Sequence, residues 1–223
     1  PMNSSEIYSL GKNKYTIGMK AFGGVIFYLD KTKKHGLVVS TENIGGSWMT
    51  YPWGCYGMSI SDAEGIDVGT GRLNTNAILS ACDEKGTAAY ACVNYEHEGF
   101  SDWFLPSLEE LELIAENLAY DDEFSDVIQF DNANYLSSTQ LKNKKHKINY
   151  AWSVNLIEGY PTSSYKSNKQ SKNYRILTLL FQEIIIIGFF IFLIKTSNPF
   201  NHIFPIPDEG LGLNPILQDP ALA

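Results

Sequence analysis

Positive charge is missing from the middle of this 223-residue chain: between Gly86 and Leu141 there is no Lys or Arg, against twelve acids. Together with a net charge of -8, this argues against nucleic acid as a general partner, because a phosphate-binding surface needs cations to displace counterions. Cysteine is scarce too. Cys55, Cys82 and Cys92 leave one over however they pair, and without a C-x-x-C the usual local geometry for zinc or thioredoxin-like chemistry is absent. Cys82 and Cys92 are candidates for a disulfide, whose short loop would contribute roughly 2 to 3 kcal/mol, although spacing alone does not establish the bond.

Other absences bear on catalysis. No Ser or Cys sits in a recognisable nucleophile elbow. "GTGRLN" at 69–74 has two glycines of a dinucleotide fingerprint but puts Asn74 in the third place, with no hydrophobic strand before it. His97, between Glu96 and Glu98, would point away from both carboxylates in an extended segment. Asp121, Asp122, Glu123 and Asp126 would hold a cation only if the backbone curled them inward. No catalytic residue, metal ligand or resident cofactor is therefore expected, and an enzyme is the less favoured alternative. The N-terminus lacks an apolar leader, but the chain opens on Pro1, so an upstream signal peptide or anchor is compatible with it.

What is present reads as α+β. Two apolar runs, Val25 to Leu29 and Leu37 to Val39, flank a lysine-bearing turn and predict a β-hairpin. Residues 41–73 show no sustained period and predict a long packed loop. Asn74 or Thr75 is placed to cap a helix ending near Gly86, and a short helix is expected around Ala88 to Cys92. In "LPSLEELELIAENL", Ser107 and Glu110 form an S-x-x-E capping box, with Leu108, Leu111, Ile114, Ala115 and Leu118 on one face. "NYLSSTQ" and "YAWSVNLI" then read as strands on either side of "LKNKKHK". That order predicts an antiparallel sheet with two main helices.

The ordered set "GGVIFYLD", "WGCYG", "GTGRLNTNAI", "AAYACVNY", "SDWFLPSLEELELI", "YLSST" and "YAWSVNL" resembles the C-terminal domain family of bacterial collagen-like adhesins over about residues 15–174. The most specific block contains Asp102, Trp103, Leu105, Pro106, Ser107 and Glu110, taken as structural. The resemblance implies a C-type-lectin-like module that binds at bacterial surfaces, in part to sulfated polysaccharide. Lys142, Lys144, Lys145 and Lys147 are then candidates to bind an anionic or other glycan, with a solvated turn that resists sheet pairing as the alternative. Trp152 is a candidate for stacking on a sugar ring, as is Trp103, against buried packing for both. The calcium-lectin triplets E-P-N and W-N-D are absent.

From Ile176 to Ile194 only Thr178, Gln182, Glu183 and Gly188 interrupt an apolar run, close to the roughly 20 residues of a membrane span. The expectation is a transmembrane helix over 176–195, separating a module at 1–175 from an extramembrane loop at 196–223. That loop resembles part of the F-type membrane subunit of the bacterial cytochrome c maturation heme lyase, through Asn198, Pro199, Asn214, Pro215, Gln218, Asp219 and Pro220. Heme is expected only of a complete subunit of that kind.

Lys166, Lys169, Lys172 and Arg175 precede the run and only Lys195 follows it before Asp208 and Glu209. This predicts a cytoplasmic module and an outer tail, whereas the adhesin resemblance implies the opposite side of the envelope. The resemblance also implies a further closing strand after "KNYR", where "ILTLLFQ" begins instead. Two accounts follow: joined pieces of unrelated proteins, or a binding module whose last strand was replaced by an anchor.

Overall fold

The computed structural model describes residues 15–46, 49–120, 122–142, 147–167 and 174–183. The chain divides into Pro1–Ile186 and Ile187–Ala223, and the described residues belong to the first unit. Its elements are β1 (Lys20–Ala21), β2 (Gly24–Leu29), β3 (His35–Ser40), α1 (Gly71–Ala81), α2 (Ala88–Val93), α3 (Leu108–Ile114), β4 (Asn134–Gln140), β5 (Tyr150–Asn155), β6 (Pro161–Tyr165), β7 (Tyr174–Arg175) and β8 (Leu179–Glu183). They make the α+β arrangement of the sequence reading, in two sheets ordered β1-β2-β3-β8 and β6-β5-β4-β7. All pairings are antiparallel except β4 with β7.

The first hairpin explains its own apolar runs. Val25, Phe27, Leu37 and Val39 face the main core, while Ile26 and Val38 join Trp103 and Leu180 in a smaller cluster on the other face. A sheet covered on both sides needs continuous apolar strands in place of alternation. In the turn, Asp30 accepts from the Thr32 hydroxyl at 2.8 Å and the Lys34 N–H at 3.1 Å, and lies 3.0 Å from His35 Nδ1.

The helices follow the sequence reading in part. At α3 both halves of the capping box form: Ser107 Oγ accepts from Glu110 N, and Glu110 Oε2 accepts from Ser107 N at 2.7 Å. Leu108, Leu111, Ile114, Ala115 and Leu118 all enter the main core, the last two from a π-helical turn at Ala115–Ala119. α2 occupies its expected place. α1 starts earlier than expected, with Thr70 at its N-cap and Asn74 and Thr75 buried inside it. Asn74 Nδ2 donates to Gly65 O at 2.7 Å, and Thr75 Oγ1 donates to Leu105 O at 3.2 Å while accepting from Leu105 N at 3.1 Å. Two residues read as caps thus tie the helix to neighbouring loops. The helix ends at the C-cap Cys82, not near Gly86.

The expected transmembrane helix is corrected. Leu179–Glu183 is a β-strand paired antiparallel with β3, Leu179 opposite Val39 and Leu180 opposite Val38. Leu179 N donates to Phe104 O at 2.8 Å, Phe104 N returns a bond to Leu179 O at 2.9 Å, and Ser40 N donates to Thr178 O at 3.1 Å. Ile176, Leu177, Leu179 and Leu180 are at most 2% exposed. Leu177 and Leu179 share the main core with Phe104 and α3, and Leu180 packs with Trp103. Among the described residues no helix is long and apolar enough to cross a membrane. The closing strand that the sequence reading missed is therefore present, just beyond the seam placed near Arg175. A two-faced buried strand and the start of a span have the same apolar composition, so the run alone did not separate them. The rest of the expected span lies outside the described residues.

Candidate functional site

The "WGCYG" loop, Trp53 to Gly57, is a surface loop held by a disulfide and several hydrogen bonds. Trp53 is buried at its base and donates Nε1–H to Ser137 O at 2.9 Å. Gly54 has φ 89°, and a Cβ there would lie 2.4 Å from Thr87 Cγ2, so glycine is required on both counts. Cys55 also has positive φ, 53°, an uncommon conformation for a side-chain-bearing residue. It is held by a disulfide to Cys82 and by its N–H donating to Glu84 Oε2 at 2.8 Å. Gly57 N donates to Asn149 Oδ1 at 2.8 Å.

This bonding presents Tyr56, which is 52% exposed. Its hydroxyl hydrogen-bonds the Tyr165 hydroxyl on β6, with ring centroids 5.3 Å apart. Tyr150, the first residue of β5, meets Tyr165 edge-on at 5.2 Å. The hydroxyl bond to Tyr56, with partial desolvation and the nearby phenols, pushes the Tyr165 pKa up to about 12.

Lys166 anchors the loop from beneath. Its side chain is fully buried, and Nζ donates to Met58 O at 3.0 Å and to Gln140 Oε1. The ammonium lies 4.2 Å from the Trp53 ring centroid, a cation–π contact. Its backbone joins in: Gly54 N donates to Lys166 O at 3.1 Å and Lys166 N to Asn149 O at 2.8 Å. Burial pulls its pKa down to about 8, since low dielectric penalises the charged form. Beside the loop, Ser59, Ser61, Asp62, Asn76 and Ser80 line an open cleft of about 440 Å³.

The sequence candidates fall around this site unevenly. Lys142 is exposed at the start of the turn, and Lys147 begins a 3-10 turn, Lys147–Asn149, that runs into Tyr150. The turn is closed by Leu141 N donating to Tyr150 O at 3.1 Å, which puts its base beside the tyrosines. Lys144 and Lys145 lie outside the described residues. Trp152 is half-buried on β5 and packs against the main core, and Trp103 is buried with Nε1 bonded to Phe100 O at 2.9 Å. The Cys82–Cys92 pairing is corrected: the long connection to Cys55 brings its Cα within 5.9 Å of Cys82. Cys92 is a buried free thiol, pushed up to about 12 by burial.

The remaining motif residues act as structural fasteners. Arg72 pairs with Asp102 at 3.4 Å, Thr75 bonds both backbone groups of Leu105, and Pro106 O accepts from Ser138 N and from Ser138 Oγ at 3.0 Å. Glu110 Oε1 accepts from Gly69 N at 2.7 Å, so its fully buried carboxylate seats the "GTG" turn against α3. Burial raises its pKa, while the bonds from Ser107, Gly69 and Gly71 oppose that rise. Among the described residues no His, Cys, Asp and Glu group could hold a metal ion. The heme-lyase-like residues Asn198, Pro199, Asn214, Pro215, Gln218, Asp219 and Pro220 lie outside the described residues.

The motif "WGCYG" stands out in the sequence, but Tyr56, Tyr150 and Tyr165 carried no expectation there and Lys166 only that of a cation flanking the apolar run. Two glycines bracketing a Cys-Tyr pair were the available signal. Nothing local revealed that β6, 109 positions later, would supply the partner.

No family model matches the chain, so the adhesin-like resemblance rests on its motifs. Part of the chain is similar to cytochrome c-type biogenesis proteins. It is 35% identical to NrfE of Haemophilus influenzae over 71 residues, 32% of this chain and 11% of that protein. It is 60% identical to CcmF of Pseudomonas fluorescens over 37 residues, 16% of this chain and 6% of that protein. The chain thus spans about a tenth or less of the length of these relatives.

Proposed function

We propose that the described module is a noncatalytic ligand-binding domain of a bacterial envelope protein, and that a glycan docks on its tyrosine face beside the lysine turn. The observation that carries this reading is Tyr56. A half-exposed aromatic ring is fixed by a disulfide, two left-handed glycines and a hydroxyl bond. Strained backbone persists only where its surroundings over-determine it, and it concentrates at functional surfaces. Exposed tyrosine rings offer an apolar face for a sugar's C–H groups and a polar edge for its hydroxyls. Lys142, Lys144, Lys145 and Lys147 would add attraction for anionic sugars, with Trp152 supporting the sheet beneath. A disulfide also suits the oxidising side of an envelope.

The test is glycan-array and heparin-column binding of the full-length chain, wild type against Tyr56→Ala and against the four turn lysines changed to Ser. Loss of binding in Tyr56→Ala supports the platform. Retained glycan binding by a folded Tyr56→Ala protein, or none by the wild type, would remove it.

A second reading has its own support in the 60% identity to a cytochrome c-type biogenesis protein. On that reading the chain carries a segment of a cytochrome c assembly protein, with Asn198 to Pro220 as the related stretch and an unrelated N-terminal module. Heme titration of the detergent-purified full chain, followed by its absorbance band, tests it. Saturable binding that is lost when 196–223 are deleted would favour this reading, and no band would count against heme handling.

A further inference from the structure

We infer that Tyr56 and Tyr165 form an oxidative cross-linking site, at which a heme peroxidase with hydrogen peroxide joins the two rings into an intrachain dityrosine. Their hydroxyls are hydrogen-bonded and their ring centroids lie 5.3 Å apart at 52°, so carbons ortho to the two oxygens are near neighbours. Tyr56 is 52% exposed, within reach of a diffusing or docked oxidant. The loop's disulfide and its Asn149 bond hold the pair together before oxidation. Such pre-positioning turns an encounter of two radicals into a step within one molecule. Tyr120 is exposed as well, but its hydroxyl lies against Gly159.

Each phenol gives up one electron and one proton. The two radicals form a C–C bond between ortho carbons, and the displaced ring protons return to the oxygens by tautomerisation. The two electrons and two protons released reduce one peroxide to two waters. The product would be a second covalent staple, tying the "WGCYG" loop to β6 alongside its disulfide to α1. This reaction requires no ligand and is independent of the glycan reading.

The full-length protein is treated at high dilution with hydrogen peroxide and a small heme peroxidase, then read by dityrosine fluorescence, intact mass and peptide mapping. The expected result is a monomer lighter by two hydrogens, with a cross-linked peptide joining Tyr56 to Tyr165. Tyr56→Phe and Tyr165→Phe should each drop the monomer signal to background, whereas Tyr120→Phe should not. Fluorescence confined to covalent dimers, a cross-link mapped to another pair such as Tyr150 and Tyr165, or no dityrosine in wild type would overturn the inference. Mapping in the wild type decides the site even if a variant folds poorly.

Discussion

Replacing Leu179 and Leu180 by Ala, singly and together, measures whether the start of the apolar run belongs to the sheet. Both side chains are fully buried, and they point to opposite faces of β8: Leu179 into the main core, Leu180 beside Trp103, Ile26 and Val38. A buried Leu→Ala change costs about 2 to 5 kcal/mol, through lost burial and the cavity left behind. The two sites lie in different clusters, so the changes should nearly add. The double variant should then lose about 4 to 10 kcal/mol, comparable with the whole stability of a typical domain. Urea unfolding of the full chain in mild detergent, followed by tryptophan fluorescence, reads this directly because Trp103 shares Leu180's cluster. Were these leucines the first turn of a membrane helix, each change would cost only a few tenths of a kcal/mol on insertion scales and leave the soluble core intact. A double variant whose urea midpoint matches wild type refutes the strand assignment.

Other perturbations probe the loop and its supports. Gly71→Ala places a Cβ 2.3 Å from Glu110 Oε2 and 2.9 Å from Leu105 O and Ser107 N, so it should destabilise by about 1 to 3 kcal/mol, seen as a lower thermal midpoint. Cys55→Ser opens a disulfide spanning 27 residues and should cost about 3 to 4 kcal/mol by loop-closure entropy, with a matching loss when wild type is reduced. Asp30 is held far below its ordinary 3.8 mainly by the His35 ring, then by Thr32 and two backbone N–H groups, against some desolvation. Its contribution is complete above the unfolded value and disappears as pH falls, so acid unfolding should be steeper in wild type than in Asp30→Asn. Lys166 has a dependence of the same sign in an alkaline window: from pH 8 toward 10.5 the unfolded chain keeps a proton that the native amine has lost. Stability should rise with pH from about 8 to 9 in wild type but not in Lys166→Met; above 9.0 the buried Cys92 thiol pulls the other way.

Local signals were legible where local chemistry decides the structure. The hairpin and the Ser107–Glu110 box depend on residues within a few positions, and both form at the expected places. Asn74 and Thr75 misled because a side chain that caps a helix can equally bond a distant backbone, and Leu105 and Gly65 are such partners. Cysteine pairing is likewise a tertiary property: Cys92 is nearer to Cys82 in sequence, but the loop brings Cys55 to it. The tyrosine site needed three separate segments to meet, so composition gave no sign of it.

The apolar run is the hardest case, because its first residues satisfy two physical demands at once. β3 is apolar on both faces and needs a neighbour that is apolar on both faces. Thr178 through Leu180 meet that need with two side chains and three backbone bonds to Ser40 and Phe104. The requirement is loose, since many hydrophobic sequences of high β-propensity could fill it. A segment acquired from another protein could therefore complete this module without a tailored closing strand, provided its leading residues were apolar and free of proline. Leu180→Pro tests that tolerance: it removes the N–H and fixes φ at a paired position, and should unfold the module while leaving the composition of the apolar run nearly unchanged.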